Sequence, residues 1–119
     1  MVSPLIEKSD ANWKLADQLR ESGNLDAAAN RFYYSLFQIV KAYAIKTGKI
    51  REDDDRAVHA KALNIVRSDR EDASTFSRAM NMRTSADYLS YLTTDSDLCQ
   101  DFVYRAQLLR DHYRHLAAS

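Results

Sequence analysis

Glycine and proline are almost absent from this chain of 119 residues, which contains two glycines and one proline. Sheets need many tight turns, and turns depend on Gly, Pro and Asn-Gly pairs. Their scarcity indicates few connections between long, uninterrupted elements, and therefore an all-α protein. A chain of this length has room for one hydrophobic core, so we expect residues 1–119 to form a single domain.

Net charge, paired cysteines and long apolar runs are also lacking. The 17 basic and 17 acidic side chains balance, whereas proteins that bind nucleic acid mainly through phosphates usually have a basic surplus. We expect the single cysteine, Cys99, to be a buried, reduced thiol. No segment approaches the ~20 apolar residues of a membrane span, and Met1–Asp10 lacks the pattern of a signal peptide. We therefore expect a cytoplasmic protein that does not associate with membranes.

The hydrophobic pattern predicts an up-and-down bundle of four long helices and one short helix. Ser3-Pro4 is typical of a helix start, with Ser3 as N-cap, and Gly23 and Gly48 are typical of helix ends. The helix between the two glycines is apolar on nearly all sides, so either the bundle or a partner subunit is expected to cover it. The helices are predicted at about residues 4–22, 25–47, 57–66, 71–88, and from a cap at residue 94 or 95 towards the C-terminus.

The segment Lys49–Arg56 is predicted to be a charged loop, in which one of three successive aspartates caps the next helix. Metal binding by Asp53, Asp54 and Asp55 would need oxygen ligands converging from elsewhere, because consecutive side chains diverge. The chain also has no Gly-rich phosphate loop, no Cys/His metal spacing and no identifiable catalytic triad. We therefore expect neither a metal ion nor a cofactor.

Two segments carry the most specific pattern in the sequence. Asn30–Phe37 (NRFYYSLF) follows GNLDAA in the central helix, and Arg83–Tyr88 (RTSADY) lies some fifty residues later. Together they resemble the Asn-Arg-x-Tyr-Tyr-x-x-Phe and Arg-x-x-Ala-Asp-Tyr motifs of a small bacterial and archaeal branch of the HEPN family (higher eukaryotes and prokaryotes nucleotide-binding domain). Order and spacing agree over almost the whole chain.

The resemblance implies a helical bundle that dimerises through the helices bearing these motifs. Members are often partners of a minimal nucleotidyltransferase in pairs of toxin–antitoxin type, and many are metal-independent ribonucleases, while others bind nucleotides or are non-catalytic partners. We therefore expect a homodimeric HEPN-type partner protein in such a toxin–antitoxin or defence pair, with RNA or a nucleotide as its ligand. An active ribonuclease is the first alternative.

The ribonuclease members carry an Arg-x(4–6)-His motif, and this chain departs from it. After Arg83 the corresponding positions hold Tyr88, Leu89 and Ser90. A phenol titrates near pH 10 and an imidazole near neutrality, so Tyr88 is a poor general base. The departure argues against catalysis.

The three histidines lie elsewhere. Arg105 with His112, and Arg110 with His115, also match the motif spacing, but we interpret the last helix as a solvated C-terminal segment whose cations suit the helix dipole. His59 is interpreted as a surface or capping residue of the third helix.

Arg83 falls on the apolar line of the fourth helix, which indicates partial burial. Asp87, one turn later, is placed either to lock this arginine inside the protein or to orient it towards a phosphate, and both interpretations stay open. On the central helix, Asn30 and Tyr34 are four residues apart. Either they hydrogen-bond towards Arg83, or the tyrosines simply pack with their hydroxyls at the surface, and both interpretations stay open. The candidate ligand- or phosphate-binding residues are Arg83, Asp87, Tyr88, Asn30, Arg31 and Tyr34.

A second alternative belongs to another class of protein. The segment Trp13–Tyr34 resembles one tetratricopeptide repeat, which would make the chain a scaffold for protein interaction. Such a fold stacks helix pairs around a concave groove, whereas the second half of this chain shows no repeat.

Overall fold

The computed structural model describes residues 2–88 and 92–119, except for the side chains of Asp87 and Tyr88. The predicted bundle of four long helices and one short helix is confirmed, and the described residues contain no strand. The nine-residue helix α3 is the short one. The helices are α1 (Ser3–Glu21), α2 (Leu25–Lys46), α3 (Val58–Val66), α4 (Arg70–Tyr88) and α5 (Gln100–Ala118).

Of the two explanations for the apolar surface of α2, cover by the bundle is confirmed, because α2 packs against each of the other four helices. Its fully buried side chains include Phe32, Tyr33, Leu36, Ile39 and Val40. The bundle itself covers this helix, so its apolar surface does not require a partner subunit. Helix α1 also contacts α5. The bundle is therefore closed, which excludes the stacked helix pairs of a tetratricopeptide scaffold.

Glycine ends both of the first two helices, as predicted. Gly23 and Gly48 have φ angles of 85° and 78°, a left-handed conformation in which glycine avoids the strain of a Cβ atom. The N–H of the following residue then donates to a carbonyl of the last helical turn, from Asn24 to Leu19 at 2.9 Å and from Lys49 to Ala44 at 2.8 Å.

Two predicted helix starts are wrong. The N-cap of α1 is Val2, and Ser3 already lies in the helix. Thr94 does not begin α5; it caps a separate turn at residues 95–98. The Thr94 N–H donates to the Asp97 carboxylate at 2.9 Å, and the Asp97 N–H donates back to the Thr94 hydroxyl at 3.2 Å. This reciprocal pairing is a capping box, but the helix that it would open ends after one turn.

Helix α5 begins at Gln100, with Cys99 as its N-cap. The thiol is therefore at a helix boundary and is only partly buried. The prediction of a buried cysteine within a helix is wrong, because the helix pattern was extended too far towards the N-terminus.

The loop Lys49–Arg56, called the acidic loop below for its three successive aspartates, is connected to α3 through Asp54. Its carboxylate accepts hydrogen bonds from the Lys61 ammonium at 2.5 Å and from the Arg56 N–H at 3.0 Å. The N-cap of α3 is Ala57, without a side-chain capping bond, so the predicted aspartate cap is wrong.

Among the described residues, no three His, Cys, Asp or Glu side chains are grouped to hold a metal ion. None of the described helices has an apolar stretch long enough to cross a bilayer.

Two polar contacts fasten α1 to the bundle. Ser9 and Ser35 are both fully buried, and each hydroxyl donates to the other residue's carbonyl oxygen at 2.8 Å. Towards α5, Asp10 accepts hydrogen bonds from Arg110 at 2.6 Å and from Arg114 at 2.8 Å. Helix α1 is thus positioned by specific pairs as well as by its apolar face.

Candidate functional site

Arg83 projects from α4 over two aromatic rings of α2. Its guanidinium carbon lies 5.3 Å from the ring centroid of Tyr34 and 5.8 Å from that of Tyr33. A cation at this distance from an aromatic face is attracted by the ring quadrupole. Arg83 is partly buried, as its place on the apolar line of α4 predicts.

His59 of α3, interpreted from the sequence as a surface or capping residue, lies beside the same rings. We call this group the Arg83 cluster; its members are Arg83, Tyr33, Tyr34, Phe37 and His59. The ring of His59 is partly buried and stacks on Phe37, with centroids 4.2 Å apart. Its Nδ1 atom lies 2.5 Å from the hydroxyl of Tyr33, a residue with no exposed surface. The interpretation of His59 as a surface or capping residue is therefore wrong.

Burial keeps both members of this pair neutral near pH 7. Burial raises the pKa of Tyr33 well above its usual value, although the nearby Arg83 acts in the opposite direction. Burial also lowers the pKa of His59, and the positive charges of Arg83 and Lys41 lower it further. Among the described side chains, Arg83 and Lys41 thus both act on the imidazole with a positive charge.

The protonation states identify the donor and the acceptor of the hydrogen bond between Tyr33 and His59. A neutral phenol is a good donor, and the unprotonated nitrogen of a neutral imidazole is a good acceptor. We therefore assign Tyr33 as the donor to Nδ1, which places the imidazole proton on Nε2. The second nitrogen of His59 is then a donor, like the guanidinium of Arg83.

Sequence reasoning missed His59 and Lys41, although each carried a signal. His59, Ala62 and Val66 follow the spacing of one helix face, and the latter two are fully buried, so the histidine belongs to the inner face of α3. Lys41 lies two turns after Tyr34 on the same side of α2. In both cases a polar residue interrupts an apolar pattern, as Arg83 does on α4.

The other predicted site residues have different positions. Asn30 is partly buried one turn before Tyr34 on α2. Arg31 is exposed and donates to Asn12 of α1 at 3.3 Å, so this contact directs it away from α4. Asp87 and Tyr88 end α4, but their side chains lie outside the described residues.

The two alternative Arg/His pairs do not form a site. Arg105 binds Glu71 and Asp101 at 3.1 and 3.4 Å. Arg110 lies 5.4 Å from the Trp13 ring centroid and binds Asp10, so it is part of the α1–α5 interface and not of a solvated turn.

The sequence model of the HEPN domain matches residues 2–116. The chain belongs to the HEPN family. The match covers all five helices except the last two residues of α5. No curated protein matches the chain significantly in sequence.

The two HEPN-like motifs meet at the Arg83 cluster. The first supplies the rings of Tyr33, Tyr34 and Phe37 from α2, and the second supplies Arg83 from α4. Tyr33 also contacts Phe76 of α4 edge-on, with centroids 5.6 Å apart. The residues that resemble the family are therefore neighbours in space although some fifty positions separate them in sequence.

Proposed function

We propose that this HEPN protein is a non-catalytic binding component that holds a phosphate group of RNA or of a nucleotide at the Arg83 cluster. The observation that carries the proposal is the partly buried guanidinium of Arg83, which lies over the rings of Tyr33 and Tyr34, with His59 hydrogen-bonded to the same Tyr33.

The proposed mechanism is recognition by fixed donors. The faces of Tyr33 and Tyr34 orient the guanidinium of Arg83. A guanidinium has five N–H donors, more than the oxygens of a single carboxylate can accept. His59 contributes Nε2–H, because Tyr33 engages its other nitrogen. Asn30, Asp87 and Tyr88 are proposed to shape the rim, with Asp87 orienting Arg83. Charge-assisted hydrogen bonds of this kind are about twice as strong as neutral ones.

Binding of a labelled single-stranded RNA and of ATP, followed by fluorescence anisotropy and calorimetry, tests the proposal. Arg83→Gln is expected to weaken binding by about ten-fold or more, since it removes a charge-assisted contact. Arg51→Gln is the matched control, because the Arg51 side chain is 82% exposed and lies in the acidic loop. Equal losses in both variants, or no loss in Arg83→Gln, would remove the proposed site.

Ribonuclease activity is the second candidate function, and His59 is the observation that favours it. The histidine missing from the sequence motif is supplied in space from another helix, beside Arg83. A general base would need Nε2 without a proton, which requires the opposite tautomer, with Tyr33 as acceptor. The assigned tautomer therefore favours binding over catalysis.

An RNA-cleavage assay separates the two functions. Loss of cleavage in both Arg83→Ala and His59→Ala would establish a ribonuclease that uses this pair. Absence of cleavage in the wild type, together with RNA binding that depends on Arg83, would support the non-catalytic function.

We further propose that the protein is a homodimer and pairs with a minimal nucleotidyltransferase in a toxin–antitoxin or defence system. Family membership supports both proposals. The chain contains seven tyrosines, a residue type common in contact surfaces, but Tyr33 and Tyr113 are buried inside the bundle. Tyr104 and Leu108, one turn apart on α5, are exposed at 62% and 50%.

Light scattering at working concentration tests the homodimer, and a monomer would contradict it. Co-purification with a nucleotidyltransferase encoded next to this gene tests the second partner. Failure of the two proteins to associate when they are produced together would contradict that pairing.

A further inference from the structure

A groove lies between α3 and α5. These two helices do not pack on each other in the described part of the chain, although both pack on α2. The resulting space has a volume of about 450 Å³. Small-molecule sites in proteins commonly range from roughly 300 to 1,000 Å³.

Two tyrosines give the groove an aromatic wall. Tyr43 of α2 and Tyr113 of α5 contact each other edge-on, with ring centroids 5.1 Å apart, and both line the groove. Ser68 adds a hydroxyl to the lining, and Ile65 adds an apolar side chain from α3. This arrangement provides flat apolar surface next to fixed polar groups.

Two lysines belong to the groove lining, Lys49 from the loop and Lys61 from α3. The carboxylates of Asp69 and Asp72 act on Tyr113 at the α5 side without belonging to the lining, so the positive charge is concentrated at the Lys49 end. The Lys49 ammonium lies 5.9 Å from the Tyr43 ring centroid, so a positive charge is held against the aromatic wall. Lys61 is partly neutralised by Asp54, which leaves Lys49 as the principal cation.

The groove differs from the Arg83 cluster in both position and residues. His59 and Val66 lie on the inner face of α3, whereas Lys61, Ile65 and Ser68 follow another line, at intervals of four and three residues. The two sites therefore use opposite parts of the same short helix.

We propose that this groove is a second binding site for a small organic anion with a planar aromatic body. The anionic group binds Lys49 and Lys61, and the ring packs along Tyr43 and Tyr113. A purely apolar ligand would leave Lys49 without a counter-charge, and a small inorganic anion would leave the aromatic wall uncovered. The mixed lining fits a molecule that carries both features.

A pair of probes that share the naphthalene ring, of which one carries a phosphate group, tests the proposal. 1-Naphthyl phosphate and 1-naphthol are titrated into the full-length protein, and backbone amide shifts are followed by two-dimensional NMR. We expect shifts around Tyr43, Ile65 and Tyr113, and a dissociation constant about ten-fold lower for the phosphate, since one charge-assisted contact is worth about this factor.

Two variants and a control make the result specific. Lys49→Gln removes the principal cation and is expected to raise the dissociation constant of the phosphate about five-fold or more. Asn64→Trp, at an exposed position of the lining, fills the groove without removing a charge and is expected to abolish binding, with circular dichroism to verify the fold. Lys8→Gln on α1 changes the same charge outside the groove and leaves binding as in the wild type.

Equal affinity for the two probes would overturn the proposal. Shifts confined to residues around Tyr33 and Arg83, or full binding by both groove variants, would also overturn it. These outcomes are independent of whether the Arg83 cluster binds RNA or nucleotide.

Discussion

The imidazole of His59 is hydrogen-bonded to the buried hydroxyl of Tyr33, which lies 26 positions earlier in the sequence. The bond joins the short helix α3 to the central helix and places a histidine beside Arg83. The cluster thus combines a cation, a neutral imidazole and aromatic rings from three helices. No one of these helices presents the whole site.

Loss of the Tyr33–His59 bond is expected to destabilise the fold measurably. Tyr33→Phe removes only the hydroxyl and should lower the free energy of unfolding by about 1 kcal/mol, the net value of one hydrogen bond. His59→Ala should cost about 2–3 kcal/mol, because it leaves the buried hydroxyl without its acceptor and removes the ring stacked on Phe37. Urea denaturation measures both values.

A double-mutant cycle isolates the bond itself. The combined variant should lose less stability than the sum of the single variants, by about 1 kcal/mol. Strict additivity would show that the two groups do not interact.

Stability is expected to depend on pH through His59. Its pKa in the folded protein lies below the ordinary value of 6.5, so the folded state binds fewer protons than the unfolded chain. The histidine's contribution is therefore fully present above pH 6.5 and is lost as the pH falls through the folded pKa. The free energy of unfolding should be lower at pH 5.5 than at pH 7.5.

His59→Phe is the control for this pH effect, because it keeps an aromatic ring against Phe37 but cannot titrate. The contribution from His59 should be missing in this variant. Asp10 and Asp54 titrate below this window, since their pKa values are lowered from 3.8. An unchanged pH dependence in His59→Phe would assign the effect to another group.

The ion pairs between Asp10 and α5 are expected to matter more than exposed pairs do. Asp10→Ala leaves Arg110, whose side chain is only 13% exposed, without its carboxylate. The expected loss is about 1–2 kcal/mol, since a partly buried charge loses its partner. Asp53→Ala is the control, because its pair with Arg51 is exposed and should contribute less than about 0.5 kcal/mol. Thermal unfolding that shows equal effects would contradict this ranking.

Substitution of Gly48 is expected to lower the free energy of unfolding through backbone strain alone. A Cβ atom at this position meets no heavy atom within 4 Å, but φ is +78°. Gly48→Ala should therefore lower stability by about 1 kcal/mol. Gly48→Asn should cost less, because asparagine tolerates the left-handed region. Equal losses in the two variants would point to a cause other than φ.

Much of the fold follows from local sequence signals. Gly23 and Gly48 end α1 and α2, and the breadth of the apolar surface of α2 predicted its central position. The start of α5 was less predictable, because the Thr94–Asp97 capping box has the sequence of a helix start but opens only one turn. Local capping chemistry does not determine how far a helix continues.

The candidate site was predictable only in part. The position of Arg83 on an apolar helix face indicated burial against α2, and the structure places it over Tyr33 and Tyr34. His59 was missed because its partner is 26 residues away, and periodicity along one helix does not show which ring on another helix it meets. Its place in line with Ala62 and Val66 was the available signal.

In the described part of the chain, helix α3 packs against α2 and α4 alone, and it carries His59 into the Arg83 cluster. Because α3 has only nine residues, we expect it to open as a small cooperative unit while the other four helices keep their packing. Each such opening would break the hydrogen bond between His59 and Tyr33, and closing would form it again. Amide exchange faster in α3 than in α2 would record these openings, and would mean that the site is complete for only part of the time although the bundle stays folded.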